Sequence, residues 1–325
     1  MTSYLARRIL YGLLLMAGVV ILNFFLIRLA PGDPAEVIAG EMGGATEEML
    51  AQIRAAYGLD QPVLVQLGIY LGNMVQGDLG MSYFFDRPVS ELIGARVWPT
   101  VLLVVTAQIL AICIGTALGV FAARKPNGLL SGFVSVFATI GYAVPVFWTG
   151  IMLIILFASI IPVFPVEGMM DVRLRDAGWL TQTIDVLHHL ALPAFTLAII
   201  YLALYARLSR ASMLEVLGAD YIRTARAKGA SERSVLFRHA LRNASLPILT
   251  VAGLQMGSVV SGALLVETVF NWPGLGTLAF DAILRRDYPT MLGVLFFASA
   301  LVVIANILTD LSYRLADPRL RGYPK

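Results

Sequence analysis

Six stretches stand out for carrying no Asp, Glu, Lys, Arg or His: Ile9–Ile27, Val97–Ala123, Pro126–Val166, Leu190–Ala206, Asn243–Val266 and Tyr288–Thr309. An α-helix rises about 1.5 Å per residue, so roughly 20 apolar residues cross a hydrocarbon core of about 30 Å. Five runs match one crossing each, with Leu190–Ala206 at the short limit. The longest, Pro126–Val166, has room for one span with interfacial ends or for two. The chain is 58% hydrophobic and only 14% charged, well below the quarter or so of charged residues usual in soluble domains. The expected fold class is an all-α polytopic membrane protein.

Charge placement decides between five single spans plus one and five plus two. With one span in Pro126–Val166 and an internal N-terminus, Arg7, Arg8, Arg124 and Lys125, the eight basic residues from Arg207 to Arg242, and Arg314, Arg319, Arg321 and Lys325 fall inside. Sixteen of the 24 Lys and Arg then lie inside, leaving 8 outside. Two spans would move the densest basic segment outside, against the positive-inside tendency. Six spans with both termini cytoplasmic follow. Arg7 and Arg8 ahead of an apolar run also resemble a signal peptide, but no small-x-small site follows, so an uncleaved anchor over about residues 9–29 is expected. The single cysteine, Cys113, excludes a disulfide framework and reads as a small buried hydrophobe.

The segment after the first span has helical signals of its own. Thr46 can cap a helix with Glu47 and Glu48 in its first turn, with Met49, Leu50, Ile53, Ala56 and Tyr57 on one face and Gly58 as its stop. A second helix follows Asp60-Gln61-Pro62, with Val63, Leu64, Leu67, Tyr70, Leu71, Met74 and Val75 at helical spacing. The pair could pack as a cap on its own spans, lie on the outer membrane surface or support a partner. Within the third span, GYAVPVFWTG places Pro145 between two glycines, which predicts a mid-membrane kink and a possible hinge. Trp272-Pro273-Gly274 reads as a turn before a short amphipathic helix with Leu278, Ile283 and Leu284.

Several chemistries are missing. The dipeptide Gly-Lys does not occur, so no P-loop can cradle a nucleotide phosphate. No HExxH, CxxC or GxSxG is present, and His188-His189 beside Asp185 reads as interfacial, because adjacent residues point to different helix faces. The six runs hold no ionisable relay of the kind that ion-driven carriers keep at membrane depth. If the chain moves a solute, the energy arrives from elsewhere.

Between two apolar runs lies DYIRTARAKGASERSVLFRHALRNASLP, Asp220–Pro247, dense in Arg and Lys. Asp220 is an N-cap candidate, Tyr221–Lys228 make about two turns, and Gly229 suits a left-handed C-cap. Ser231 can cap a second short helix with Glu232 in its first turn, and Asn243–Pro247 lead into the next span. Two bounded helices projecting from one face make a docking knob rather than a merely solvated loop. Small residues Thr224, Ala225 and Ala227 permit close approach, and Arg223, Arg226 and Lys228 offer cations to an acidic partner.

This stretch resembles the coupling loop, or EAA motif, of permease subunits of bacterial ABC importers, in particular their dipeptide, oligopeptide and nickel branch. The resemblance runs almost end to end through ARRIL, LAPGDP, YGLDQP, GDLGMS, DYIRTARAKGAS, RHALRNASLP, ETVFNWPGLG and RDYP. Gly229 falls on the motif's glycine, Thr224 and Ala225 on its two small residues, while Arg223 stands where the general pattern has glutamate. The resemblance implies a type I ABC importer permease fold: residues 1–96 as anchor and external helical segment, 97–311 as permease core with spans near 98–122, 132–161, 189–208, 246–266 and 288–310, and 312–325 as a cytoplasmic tail. It implies a non-catalytic subunit without cofactor, working with a second homologous permease, two ATP-binding subunits that hold ATP and Mg, an external solute-binding protein and the lipid bilayer, and with no nucleic acid. ATPase coupling would fall to Asp220, Tyr221, Arg223, Thr224, Ala225, Arg226, Ala227, Lys228, Gly229 and Ala230. Substrates of the branch include peptides, glutathione and nickel complexes. A membrane scaffold recruiting a soluble protein, or a secondary carrier, are the rival readings.

Overall fold

The computed structural model describes residues 2–29, 35–36, 39, 46–56 and 58–316. Among them the secondary structure is helical, with an isolated bridge between Met81 and Pro88 and no strand. The helices are α1 (Thr2–Leu29), α2 (Glu47–Ala56), α3 (Val63–Val75), α4 (Val89–Arg124), α5 (Leu129–Ala143), α6 (Val146–Ile154, continued by a π-helical turn to Ile160), α7 (Trp179–Leu217) and α8 (Asp220–Ala227). They continue with α9 (Glu232–Ser234), a π-helical turn over Val235–Ala240, α10 (Leu241–Val269), α11 (Leu275–Leu284) and α12 (Tyr288–Ala316). The motif LAPGDP (but for Leu29), the face residue Tyr57 and the last nine residues of the tail lie outside the described residues.

Five helices are long and apolar enough to cross a bilayer, and α5 with α6 makes a sixth if the pair is one span. Several outrun the charge-free stretches that announce them. α4 has 36 residues and α7 has 39, roughly 54 and 58 Å at 1.5 Å per residue, well beyond a hydrocarbon core. Charged residues end the apolar run but not the helix.

The third span is more than kinked. α5 and α6 are bent 107° to one another. Pro145 has no N–H and pushes its predecessor out of the helical region; Val144 accordingly sits at φ −90°, ψ 127° and Pro145 at ψ 137°. Two extended residues in sequence separate the helices.

The chain divides into two compact units, Met1–Thr100 with Pro273–Ile304, and Val101–Trp272 with Ala305–Lys325. In the first, Thr46 caps α2 through its hydroxyl to the Met49 N–H, and Gly58 follows with φ +62°. Ile53 of α2 packs with Ala35 and Ala39. Asp287, 1% exposed, ties the 79–88 loop down. It accepts from the Ser82 and Thr290 hydroxyls and from the Tyr83 N–H. The Arg285 guanidinium stacks 3.5 Å above the Phe84 ring.

The second unit is built on backbone-to-backbone contact. On α4, Gly115 and Gly119 abut α7 so tightly that a Cβ on Gly115 would lie 2.7 Å from the Leu202 carbonyl oxygen. Such small-xxx-small seams let membrane helices approach without interposed side chains. Gln108 of α4 adds polar links, donating to the Tyr205 hydroxyl of α7 and the Ala252 carbonyl of α10. Gly150 of α6 is buried against Thr196, Val269 and Phe270. Around these contacts Leu103, Leu190, Leu197, Ile248, Val259, Phe270 and Trp272 form the main core. Cys113, in contrast to the expectation, is exposed on α4; in a bilayer an apolar residue is as well accommodated facing lipid as facing protein, so hydrophobicity does not fix its side.

Candidate functional site

The basic segment after α7 is an amphipathic appendage with a single anchor. In α8 only Ile222 is buried, at 0% exposure; Ala225 is half-buried and the other residues are exposed. Ile222 belongs to one buried apolar cluster with Val120 and Ala123 from the end of α4, Met213 from the end of α7, Val235, Leu236 and Ala240 from the π-helical turn, and Ala244 of α10. A burial of that kind contributes about 1.5–3 kcal/mol. One side chain thereby fixes α8 to the ends of three long helices. The sequence reading passed over Ile222, although an isolated isoleucine in DYIRTARA is the signal that marks it.

The neighbouring polar contacts set the orientation of α8. Tyr221 accepts a hydrogen bond from Asn243 Nδ2 at 2.7 Å. Asp220 and Arg223 pair at 3.4 Å on the surface, and Thr224 Oγ1 donates to the Asp220 carbonyl. Asp220 is the first helical residue, not the cap; Ala219 holds the N-cap position without a side-chain bond. At the other end Lys228 is the C-cap and Gly229 takes φ +82°. No atom lies within 4 Å of a Cβ built on Gly229, so the backbone conformation alone calls for glycine there. Ala230 is half-buried.

Ser231 caps the next helix as expected, accepting from the Ser234 N–H. That helix is not a separate short element, however. It runs through the π-helical turn and α10 without a break, so Asn243–Pro247 are already helical. The wider turn over Val235–Ala240 directs Val235, Leu236 and Ala240 inward, where they meet Ile222. Arg226 reaches across the Gly229 turn to Glu232, donating from Nε at 2.8 Å and from Nη2 at 3.4 Å. Arg223, Ala227 and Lys228 are exposed alongside. At the root of the appendage, Arg210 of α7 donates to Ser131 Oγ and the Pro126 carbonyl, and Ser209 donates to the Thr116 carbonyl of α4.

The remaining candidates sit elsewhere. Pro145 lies at the α5–α6 break. His188 bonds the Val163 carbonyl and His189 pairs with Asp185, which also accepts from the Asp171 N–H. Among the described residues no group of three or more His, Cys, Asp or Glu could hold a metal ion. Glu267 stands one residue past a charge-free run but inside α10, and is fully buried; counting charge-free residues ends one position too early to include it.

Residues 115–322 match the family of binding-protein-dependent transport system inner membrane components, and residues 1–104 match the N-terminal region of the same membrane components. The chain belongs to this family. Among curated inner membrane components, it is 45% identical to the probable peptide ABC transporter permease protein y4tP of Sinorhizobium fredii, over 99% of this chain and 100% of that one. It is 40% identical to the oligopeptide transport system permease protein AppB of Bacillus subtilis, over 98% and 99%. Among solved structures, an inward-facing form of the MetNI methionine ABC transporter shares the fold, with a TM-score of 0.55 at 18% identity over 70% of this chain and 96% of that one. This permease is therefore a multi-pass membrane subunit of an ABC importer with a type I permease fold.

Proposed function

We propose that this permease forms half of a translocation pathway for peptides or a related small solute, and that α8 is the element through which ATP hydrolysis in two partner subunits drives it. The peptide reading is supported by relatives named as peptide permeases at 40–45% identity over nearly the full length. The other half of the pathway is a second homologous permease, and an external solute-binding protein delivers the cargo. The chain sits in the bacterial inner membrane with both termini cytoplasmic, a placement supported by the 16-to-8 division of basic residues. ATP and Mg belong to the partners, since this chain has no Gly-Lys dipeptide and no P-loop.

The observation that carries the coupling role is the seat of Ile222. A push on the exposed face of α8 is passed through Ile222 to Val120 and Ala123 of α4, to Met213 of α7 and to Ala244 of α10. Close-packed interiors deform little, so α8 and these helix ends move as one body. The extended pair Val144-Pro145 is where α5 and α6 can change their angle, which makes Pro145 the hinge.

The test uses the reconstituted complex of both permeases, both ATPases and the binding protein. Gly229→Val forces a β-branched residue into the left-handed region, a strain of about 1 kcal/mol or more, and Ala225→Trp enlarges the docking face. Both variants are expected to insert and to co-purify with the second permease, while solute-loaded binding protein no longer stimulates ATP hydrolysis and transport falls. Full stimulation of both variants at normal assembly would reduce α8 to a solvated basic loop.

A further inference from the structure

The two helices that follow α1 are built from different chemistry. α2 presents Glu47, Glu48 and Gln52 outward and turns Ile53 into a small core. α3 has no charged residue in its 13 positions, VLVQLGIYLGNMV. Its half-buried side holds Leu67, Tyr70, Leu71 and Met74. The opposite side is also apolar: Leu64 is 74% exposed, Ile69 51% and Val75 89%, with Val65 beside them. Gly68 and Gly72 lie on that exposed side too, and no atom stands within 4 Å of a Cβ built on either. A helix facing water carries polar residues there, as α2 does. Leaving this face in water would forgo about 25 cal/mol for every Å² of apolar surface.

Depth identifies what covers it. Tyr70 stacks on Phe24 of α1, with ring centroids 6.1 Å apart and planes 25° from parallel. Phe24 belongs to the apolar crossing segment Arg7–Leu26 and stands two residues from its end, about 3 Å along the helix axis. The middle of α3 is thus level with the last turn of a bilayer-crossing helix. Thirteen residues give about 20 Å of helix, too short to cross a core of about 30 Å. A helix that is apolar on both sides has both sides out of water; held at the membrane boundary, the side of α3 that does not pack on protein meets lipid. Tyr70 itself is turned inward onto Phe24; its hydroxyl is buried without a hydrogen-bond partner among the described residues, and burial pushes the phenol's pKa up.

We propose that α3 is a lipid-embedded helix, its Leu64–Val65–Ile69 face sunk into the bilayer interface beside the C-terminal end of α1, while α2 remains in water. The proposal is independent of what the permease transports. Its test places a nitroxide on single-cysteine variants of the full chain, Leu64→Cys, Ile69→Cys and Gln52→Cys, each with Cys113→Ser, in nanodiscs of phosphatidylethanolamine and phosphatidylglycerol. Leu22→Cys, on the exposed side of α1, supplies the lipid reference. Power saturation compares collision with oxygen, which partitions into lipid, and with a water-soluble nickel chelate. The ratio of oxygen to nickel accessibility is expected to be several-fold higher at positions 64 and 69 than at 52, and close to that at 22. A ratio at 64 and 69 equal to that at 52 would put α3 in water and overturn the proposal. Protection from both reagents would overturn it as well, by placing a protein surface, a partner or a second copy, on this face.

Discussion

Gly119 of α4 lies so close to Ser209 of α7 that a Cβ placed on the glycine would stand 2.5 Å from the Ser209 Cβ and 2.5 Å from the Ala206 carbonyl oxygen. Neither obstacle is the flexible end of a long side chain; one is backbone and the other is fixed to it. The seam therefore sets the crossing of α4 and α7 just before both helices reach the cluster that holds Ile222. The link runs from sequence, a glycine four residues after Gly115, to packing, and from packing to the placement of α8.

Gly119→Ala should accordingly wedge the two helices apart at a cost of about 1–3 kcal/mol, the usual range for overpacking, and Gly119→Val should prevent recovery of folded protein. Gly132→Ala is the matched control. No atom lies within 4 Å of a Cβ built on Gly132, and alanine is the better helix former. Thermal unfolding in detergent, followed by fluorescence-detected size exclusion, should separate them: a lowered midpoint for Gly119→Ala and none for Gly132→Ala. Equal midpoints for both would mean that the helices are not seated on this seam.

Asp287 supports a second expectation. Its carboxylate receives the Ser82 and Thr290 hydroxyls and the Tyr83 N–H while 1% exposed. Asp287→Ala removes the acceptor and leaves buried donors unsatisfied, each costing about 1–3 kcal/mol. Ser82→Ala removes one donor from a carboxylate that keeps its others, and should cost less. Limited proteolysis reads the difference directly: the 79–88 loop should become cleavable in Asp287→Ala, and remain largely protected in Ser82→Ala. Equal protection of the loop in Asp287→Ala and wild type would show that the carboxylate does not hold it.

How much of this was legible beforehand depends on the range of the interaction. Local signals read well. Five of the six charge-free runs became long helices, Thr46 and Ser231 became N-caps, and Gly58 and Gly229 took positive φ. Each is decided within about four residues by backbone sterics and unpaired N–H groups. Long-range partnerships did not read. Ser82 and Asp287 are 205 residues apart, and no spacing rule connects them. Ile222 is hidden among cations because its significance lies in an apolar cluster whose other members come from four different segments. Helices outrun the charge-free runs at both ends, as Trp179–Leu217 does around Leu190–Ala206, because a charge marks where lipid stops and not where the backbone ladder does. Pro145 in the sequence predicts a kink, but the size of the bend depends on Val144 leaving the helix too.

The last prediction concerns the brace over the Gly229 turn. Arg226 offers two donors to the two carboxylate oxygens of Glu232, a fork-to-fork geometry that holds orientation as well as charge. Both side chains are largely exposed, at 42% and 60%, so neither contributes much to global stability, and unfolding midpoints should barely move. Their effect is on the angle at which α8 leaves the turn. Arg226→Glu places two carboxylates together and should lower binding-protein-stimulated ATP hydrolysis in the reconstituted complex, as should Glu232→Arg. The swapped pair, Arg226→Glu with Glu232→Arg, restores the brace with its polarity reversed and should recover much of the stimulation. Raising salt should narrow the difference between the single variants and wild type, because exposed pairs are screened within about 10 Å at 0.1 M. Lys228→Glu lies outside the brace and should not be rescued by Glu232→Arg. A swapped pair as defective as Arg226→Glu alone would place the Arg226 charge against the partner and not within this chain.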